Sequence, residues 1–337
     1  MVTIQDIADR VGVSKTAVSL VLNNRGETLR ISRRTCNKIK EVAAELGYCR
    51  NGIAYAMAKG KTNVIGLVGG FHGSWGLDII NGITKFINKS GYSIRLFHID
   101  KDVEISSIIH SCIEERFSGV ICTALCESDL DFMHKELGKA NIPMALVDNA
   151  FSHNKCSHVL SDDFEGAKLV ADFLCDLGHQ KIVYISTPLT SSGTQLRHSG
   201  FLEGLKKHGI KLPEKSIGIV DKHYEITDSF VGTVKRVISE NKATAVFCCS
   251  DPVAVKVLKV ATNAGIKIPE ELSVVGYADL NYTLWSIPAL TTVRQPFEEM
   301  GRKIAEVLIS EIKEQQTIGT IKLPVELIIR QSTSRRP

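Results

Sequence analysis

Lys15, Thr16 and Leu20 have the residue types and the spacing to read a DNA major groove. They stand at i, i+1 and i+5 of the stretch Val13-Ser14-Lys15-Thr16-Ala17-Val18-Ser19-Leu20-Val21-Leu22-Asn23. On a helix they share a face with Ser19, opposite an apolar stripe of Ala17, Val18, Val21 and Leu22. A lysine ammonium can donate to guanine O6 or N7, whereas leucine can only lie against a thymine methyl or exclude water. Other chemistries find little support. The nine cysteines and ten histidines contain no C-x-x-C and no H-E-x-x-H, so neither a zinc site nor a disulfide framework is expected. Gly69-Gly70-Phe71-His72-Gly73-Ser74-Trp75-Gly76 follows an apolar run, and Asp100 ends the next one, like a dinucleotide-binding turn with its ribose-binding acid. The turn reads G-G-x-x-G-x-x-G and not G-x-G-x-x-G, which argues against a nicotinamide cofactor and an enzyme.

Three short helices must position the groove-reading face. Ser14 caps the helix that carries it. Before it, Thr3 caps a helix with Asp6 three residues on, an apolar stripe of Ile4, Ile7, Ala8 and Val11, and Gly12 as stop. Two helices joined by so tight a turn form a helix-turn-helix. A third runs from the Ser32 cap through Ile39, Val42, Ala43 and Leu46 to Gly47 and completes a small core. Arg30, Arg33, Arg34, Lys38 and Lys40 surround it as phosphate contacts or as an ordinary solvated face. Asn51 can cap a further helix of about two turns that ends at Gly60, marginal by itself because so few bonds do not recover the nucleation cost.

Charge follows the same division. Residues 1–62 contain eleven Lys/Arg against five Asp/Glu, while residues 63–337 contain 30 against 32. A basic head on a slightly acidic body is the footprint of a nucleic-acid reader. With 44% hydrophobic residues and no apolar run long enough to span a bilayer, the chain is expected to be soluble, without a secretory signal, and cytoplasmic.

From Asn63 onward, continuous apolar strands alternate with amphipathic helices. Strands are expected at 64–68, 93–99, 119–122 and 143–148, then, after a helix from Asp162 to Gly178, at 182–186, 216–220, 244–249 and 272–276. This pattern implies parallel sheets covered on both faces, and its two runs imply two α/β subdomains.

The chain resembles the lactose/galactose repressor (LacI/GalR) family of bacterial transcription regulators over essentially its whole length. The matching words are Thr-Ile-Gln-Asp-Ile-Ala (3–8), Val-Gly-Val-Ser-Lys (11–15), Val18-Ser19, Val-Leu-Asn (21–23), Glu-Leu-Gly-Tyr (45–48), Asn51, Ala54 and Gly-Lys-Thr-Asn-Val-Ile-Gly-Leu (60–67). The resemblance implies a helix-turn-helix head (1–48), a hinge helix (49–62) and a two-lobed periplasmic-binding-protein-like domain (63–337). Lobe one would span about 63–160 and 293–320, lobe two about 161–292 and 321–332. The DNA-facing set is then Thr3, Ser14, Lys15, Thr16, Ser19, Leu20, Asn23 and Arg33 in the head, with Asn51, Ala54, Tyr55 and Met57 in the hinge. Met57 takes the place of the family's minor-groove leucine wedge. Arg50 and Tyr55 depart from the family's proline and arginine.

The resemblance also implies an effector cleft. His72, Ser74 and Trp75 replace the family's usual words there, and Trp75 offers a ring for the apolar face of a sugar. Arg197, in Arg-x-x-Gly-Phe, is the cleft arginine, whose guanidinium can make two parallel bonds to a ligand. Ser250 and Asp251 stand for an Asn-Asp pair, and Asp162 and Glu165 sit at a helix start. In Val-Val-Gly-Tyr-Ala-Asp (274–279) the family's first aspartate is Ala278, so only Asp279 remains. Each polar residue has a structural alternative, a cap or an interlobe bond. Leu-Thr-Thr-Val-Arg-Gln-Pro (290–296) matches the family's crossover word and is structural. The expectation is a repressor, homodimeric on a palindromic operator and without cofactor. Its effector would be a sugar or sugar phosphate, or alternatively a nucleobase. A periplasmic sugar carrier is the remaining alternative, opposed by the basic head.

Overall fold

The computed structural model describes residues 2–22, 31–49, 60–71, 73–100, 102–148, 156–221, 225–314 and 317–336. The expectations for Asn23, Arg30, Asn51, Ala54, Tyr55, Met57 and His72 lie outside the described residues. The chain divides into two compact units, Met1–Thr62 and Asn63–Pro337. Among the described residues no helix is long and apolar enough to cross a membrane.

The first unit contains α1 (Ile4–Val11), α2 (Lys15–Leu22) and α3 (Arg33–Glu45). A reciprocal capping box opens α1: Thr3 N donates to Asp6 Oδ2 at 2.8 Å, and Asp6 N donates to Thr3 Oγ1 at 3.3 Å. These bonds hold the Asp6 carboxyl below its ordinary range. Gly12, at φ +77°, turns the chain in the left-handed region that side chains rarely adopt. Ser14 Oγ then accepts from Ala17 N at 3.1 Å, and Ser32 Oγ from Thr35 N at 3.2 Å, so α2 and α3 both start where the sequence signals them. Ile7, Val18, Val21 and Ile39 form the centre of the three-helix core.

The second unit holds two parallel sheets. The larger contains β1 (Val64–Gly69), β2 (Ser93–His98), β3 (Gly119–Thr123), β4 (Met144–Val147), β5 (Ser157–Ser161) and β11 (Thr320–Leu323), in the order β11-β5-β4-β3-β1-β2. The smaller contains β6 (Ile182–Ser186), β7 (Ile217–Ile219), β8 (Ala245–Cys248) and β9 (Ser273–Val275), in the order β7-β6-β8-β9. A separate antiparallel pair joins β10 (Thr292–Arg294) to β12 (Glu326–Ile328). The helices are α4 (Gly73–Lys89), α5 (Ile105–Glu114), α6 (Glu127–Lys139), α7 (Asp163–Asp176), α8 (Ser192–Lys207), α9 (Asp228–Glu240), α10 (Asp251–Asn263) and α11 (Phe297–Glu314).

α11 returns to the first lobe, where Met300, Ile304 and Leu308 join Ile79, Ile83 and Ile87 of α4 in one buried cluster. The strand after it, β11, pairs with β5 in the larger sheet, so lobe one extends to Leu323 and not only to 320. The pairing of Ile321 with Val159 anchors it there. The final residues return to lobe two, with Val274 N donating to Ser332 O at 2.8 Å.

One close approach positions the cleft. α8 lies so near α7 that a Cβ on Gly200 would come within 2.2 Å of the Phe164 carbonyl oxygen. Only glycine permits that contact, and it brings α8 onto the start of α7.

Candidate functional site

In the first unit the residues expected to face the groove separate cleanly from the core. Lys15 and Thr16 are exposed, Ser19 and Leu20 half-buried, and Val18 and Val21 buried against the other two helices. Ser14 and Thr3 use their hydroxyls as caps. Arg33, Arg34, Lys38 and Lys40 are all exposed. α2 therefore turns a lysine and a threonine outward at its first turn, and α3 exposes four basic residues, as expected of a recognition helix and its phosphate contacts.

In the second unit, each parallel sheet has a point where the strand order reverses, which is where α/β folds open a crevice at the carboxyl ends of the strands. In lobe one this lies between β1 and β3, at Gly69 and Thr123, which are register partners. The Thr123 hydroxyl there, and the Ser74 hydroxyl at the start of α4, are buried without a hydrogen-bond partner among the described residues. In lobe two the reversal lies between β6 and β8, and Arg197 donates from Nη1 to the Cys249 carbonyl just past β8 at 2.9 Å.

Arg197 is the centre of this region. Its guanidinium is nearly buried, at 12% exposed, and forms an ion pair with Asp163, which is 6% exposed. Nε donates to Asp163 Oδ1 at 3.2 Å and Nη2 to Oδ2 at 3.4 Å. Nη2 also reaches Gln295 Oε1 at 3.1 Å, and the guanidinium carbon lies 4.1 Å from the centroid of the Tyr277 ring. Gln295 Nε2 in turn donates to Ser161 Oγ at 2.7 Å and to Asp163 Oδ1 at 3.3 Å. These bonds form a seam that runs from α8 through the crossover to β5 of lobe one.

Burial works against the arginine's charge, but the Asp163 carboxylate beside it more than compensates and holds the group protonated. Asp148, following β4, completes the cluster from lobe one at φ +53°, a left-handed conformation costly for a residue with a side chain. Burial and the neighbouring Asp163 push its carboxyl up to about 7, against the opposing pull of Arg197.

The remaining expected effector residues fall into two groups. Trp75 is half-buried with its ring centroid 6.2 Å from that of Phe297, and Ser250 stands half-buried at the start of α10 with no capping bond. Asp162 caps α7 through Glu165 N, and Glu165 is exposed, bonded to Lys168 at 2.9 Å. The other group is turned inward. Asp251 is fully buried and accepts from Thr292 Oγ1 at 2.6 Å and Leu280 N at 2.8 Å, while burial pushes its carboxyl up to about 6. Asp279, at φ +59°, is held by Arg294 and Arg330.

The parallel pair of bonds expected between Arg197 and a ligand is made within the chain, to Asp163. A guanidinium this deep needs a counter-charge. Sequence reading missed Asp163, Asp148, Gln295 and Tyr277. An acid just past the end of a parallel strand was the signal available for Asp148.

With this geometry established, the chain can be set beside known proteins. Residues 3–51 match the model of the bacterial regulatory proteins, lacI family, and residues 171–333 match a periplasmic binding protein-like domain. The probable HTH-type transcriptional repressor ExuR of Bacillus subtilis (strain 168) is 30% identical over 341 residues, covering 99% of both chains. The chain belongs to the LacI family. The HTH-type transcriptional repressor PurR of Pasteurella multocida (strain Pm70) is 27% identical, covering both chains completely. Among solved structures, the lac repressor dimer bound to operator and the anti-inducer ONPF superposes with a TM-score of 0.79 at 25% identity, covering 99% of each chain. The transcriptional regulator CelR–cellobiose complex gives 0.73 at 25% identity, covering 98% of this chain and 100% of the other. This LacI-family protein is a DNA-binding transcriptional repressor and not an enzyme.

Proposed function

We propose that the protein represses transcription in the cytoplasm as a homodimer on a palindromic operator, under control of a small molecule bound at the seam around Arg197. The observation that carries this reading is the convergence of both lobes on one guanidinium: Cys249 and Gln295 from one side, Asp148 and the Gln295–Ser161 bond from the other. A ligand that alters this seam changes the relation of the lobes. A site whose two arrangements differ in operator affinity couples ligand and DNA reciprocally. A sugar is the favoured effector, because Trp75 supplies a ring and Ser74, Thr123 and Asp148 supply hydroxyl-matching groups. The cellobiose in the CelR complex is consistent with that class.

For the second copy we propose the loop containing Leu284, Trp285 and Ile287. These are 57%, 77% and 92% exposed, an apolar cluster unusual for a surface left open to water. Trp285→Asp should shift the protein towards monomer in sedimentation.

The effector reading is tested by thermal-shift titration with sugars, sugar phosphates, purines and NAD. A cleft ligand raises the melting point by mass action. The expected result is stabilisation of the wild type that disappears in Arg197→Ala. Stabilisation that persists in Arg197→Ala would place the ligand elsewhere.

A further inference from the structure

Arg197 has five N–H donors, and four are already committed: two to Asp163, one to Gln295 and one to the Cys249 carbonyl. Among the described residues one Nη1 N–H remains, which suits one hydroxyl or carbonyl oxygen. It cannot provide the forked pair of bonds by which arginine recognises a phosphate or carboxylate. The charge of the guanidinium is likewise matched, because Asp163 is 6% exposed and lies directly against it. The other groups that act on it are the Asp148 carboxyl and Tyr277, neither of them a cation. Arg294 and Arg330 are both bound to Asp279. At the lobe-one reversal, the hydroxyls of Ser74 and Thr123 are buried without partners among the described residues. Each can donate or accept, and none carries charge.

We propose that Asp163 sets the charge class of the effector: by satisfying Arg197 from within, it reserves the cleft for an uncharged, hydroxyl-bearing ligand and excludes sugar phosphates and other anions. This rests on the reading that the seam around Arg197 is the effector site. An anion would have to displace Asp163 from the guanidinium and then lie beside the carboxylate it had displaced. A neutral polyol meets no such conflict. Its hydroxyls can donate to Asp148, exchange bonds with Ser74 and Thr123, and accept from the remaining Arg197 N–H. Asp163 is thus a positioning and specificity residue that acts through Arg197.

The test uses the full chain and inorganic sulfate as the anion probe, titrated by calorimetry at constant ionic strength into wild type, Asp163→Asn, Arg197→Ala and the Asp163→Asn/Arg197→Ala double variant. Asparagine keeps the shape of the side chain and removes its charge, so Asp163→Asn should gain sulfate affinity by at least about tenfold over wild type. The double variant should lose that gain. Sulfate binding by the wild type that vanishes in Arg197→Ala would overturn the proposal, and so would a folded Asp163→Asn protein with no gain. Because the wild-type arm stands alone, the proposal remains falsifiable if Asp163→Asn does not fold. In parallel, each neutral sugar of the thermal-shift screen is compared with its phosphate. A phosphate that stabilises the wild type more than its parent sugar also overturns the charge rule while leaving the effector site in place. Conversely, an Asp163-dependent sulfate site combined with sugar stabilisation unaffected by Arg197→Ala would keep the charge rule and remove the effector reading.

Discussion

Lys15 and Arg197 are both cations that stand out in the sequence, and the protein treats them in opposite ways. Lys15 projects from the first turn of α2 into solvent, while its helix is held by Val18 and Val21 on the other face. Arg197 lies in a seam of low dielectric, tied to Asp163, Gln295 and the Cys249 carbonyl. The contrast shows two ways of making a binding site. A recognition helix separates folding from reading, so its outward residues are available to a partner. The proposed site between lobes is built from groups that first satisfy one another, and a ligand would meet only what they leave over.

Substitution should separate the two most sharply. Arg197→Ala leaves Asp163 buried without its counter-charge, and should lower stability by about 3–5 kcal/mol in denaturant unfolding. Lys15→Ala should change stability by less than about 0.5 kcal/mol, yet relax base preference at one operator position by roughly 1–3 kcal/mol. Equal stability losses would erase the distinction.

The next effect in size comes from how α8 carries Arg197. Gly200→Ala places a methyl against the Phe164 carbonyl oxygen, which backbone must move to accommodate. Overpacking of this kind costs about 1–3 kcal/mol, and here it should also weaken the response to ligand. In the head, Ser14→Ala removes the bond to Ala17 N and should cost about 1 kcal/mol, read as a lower melting temperature of the isolated head fragment.

The smallest effect concerns pH. The Asp148 carboxyl is raised to about 7, so between its unfolded value near 4 and pH 7 the folded state binds more proton than the unfolded state. Its contribution to stability therefore falls as pH rises through that window and is level above it. Asp148→Asn should raise the melting temperature at pH 8 and leave it nearly unchanged at pH 4. A shift that is the same at both values would show that Asp148 is not the group responsible.

The same contrast explains what was legible in the sequence. The head could be read almost to the residue, because capping boxes, glycine stops and helical periodicity are local signals: Thr3, Gly12, Ser14 and Ser32 all act where their spacing indicates. The apolar strands β1, β3, β6 and β8 were legible as continuous hydrophobic runs. β5 was not, since Ser157-His158-Val159-Leu160-Ser161 is polar at three of its five positions and is held by strands on both sides. β11 was equally obscure, because its partner lies far back in the chain. In the cleft, Arg197 was visible as a residue type at a family position, but its partner was not. Asp162 and Asp163 are adjacent in sequence, and only the packing of α8 on α7 decides which of them faces the guanidinium.

The most direct test of two separable, coupled sites is a pair of titrations on wild type, Lys15→Ala and Arg197→Ala. Operator affinity would be measured by fluorescence anisotropy on a palindrome selected from a randomised library, with and without a ligand found by thermal shift. Lys15→Ala should lose operator preference and keep the full thermal response to ligand. Arg197→Ala, below its lowered melting temperature, should bind operator as wild type does and ignore the ligand. An Arg197→Ala protein whose operator affinity still responds at the wild-type ligand concentration would contradict the account.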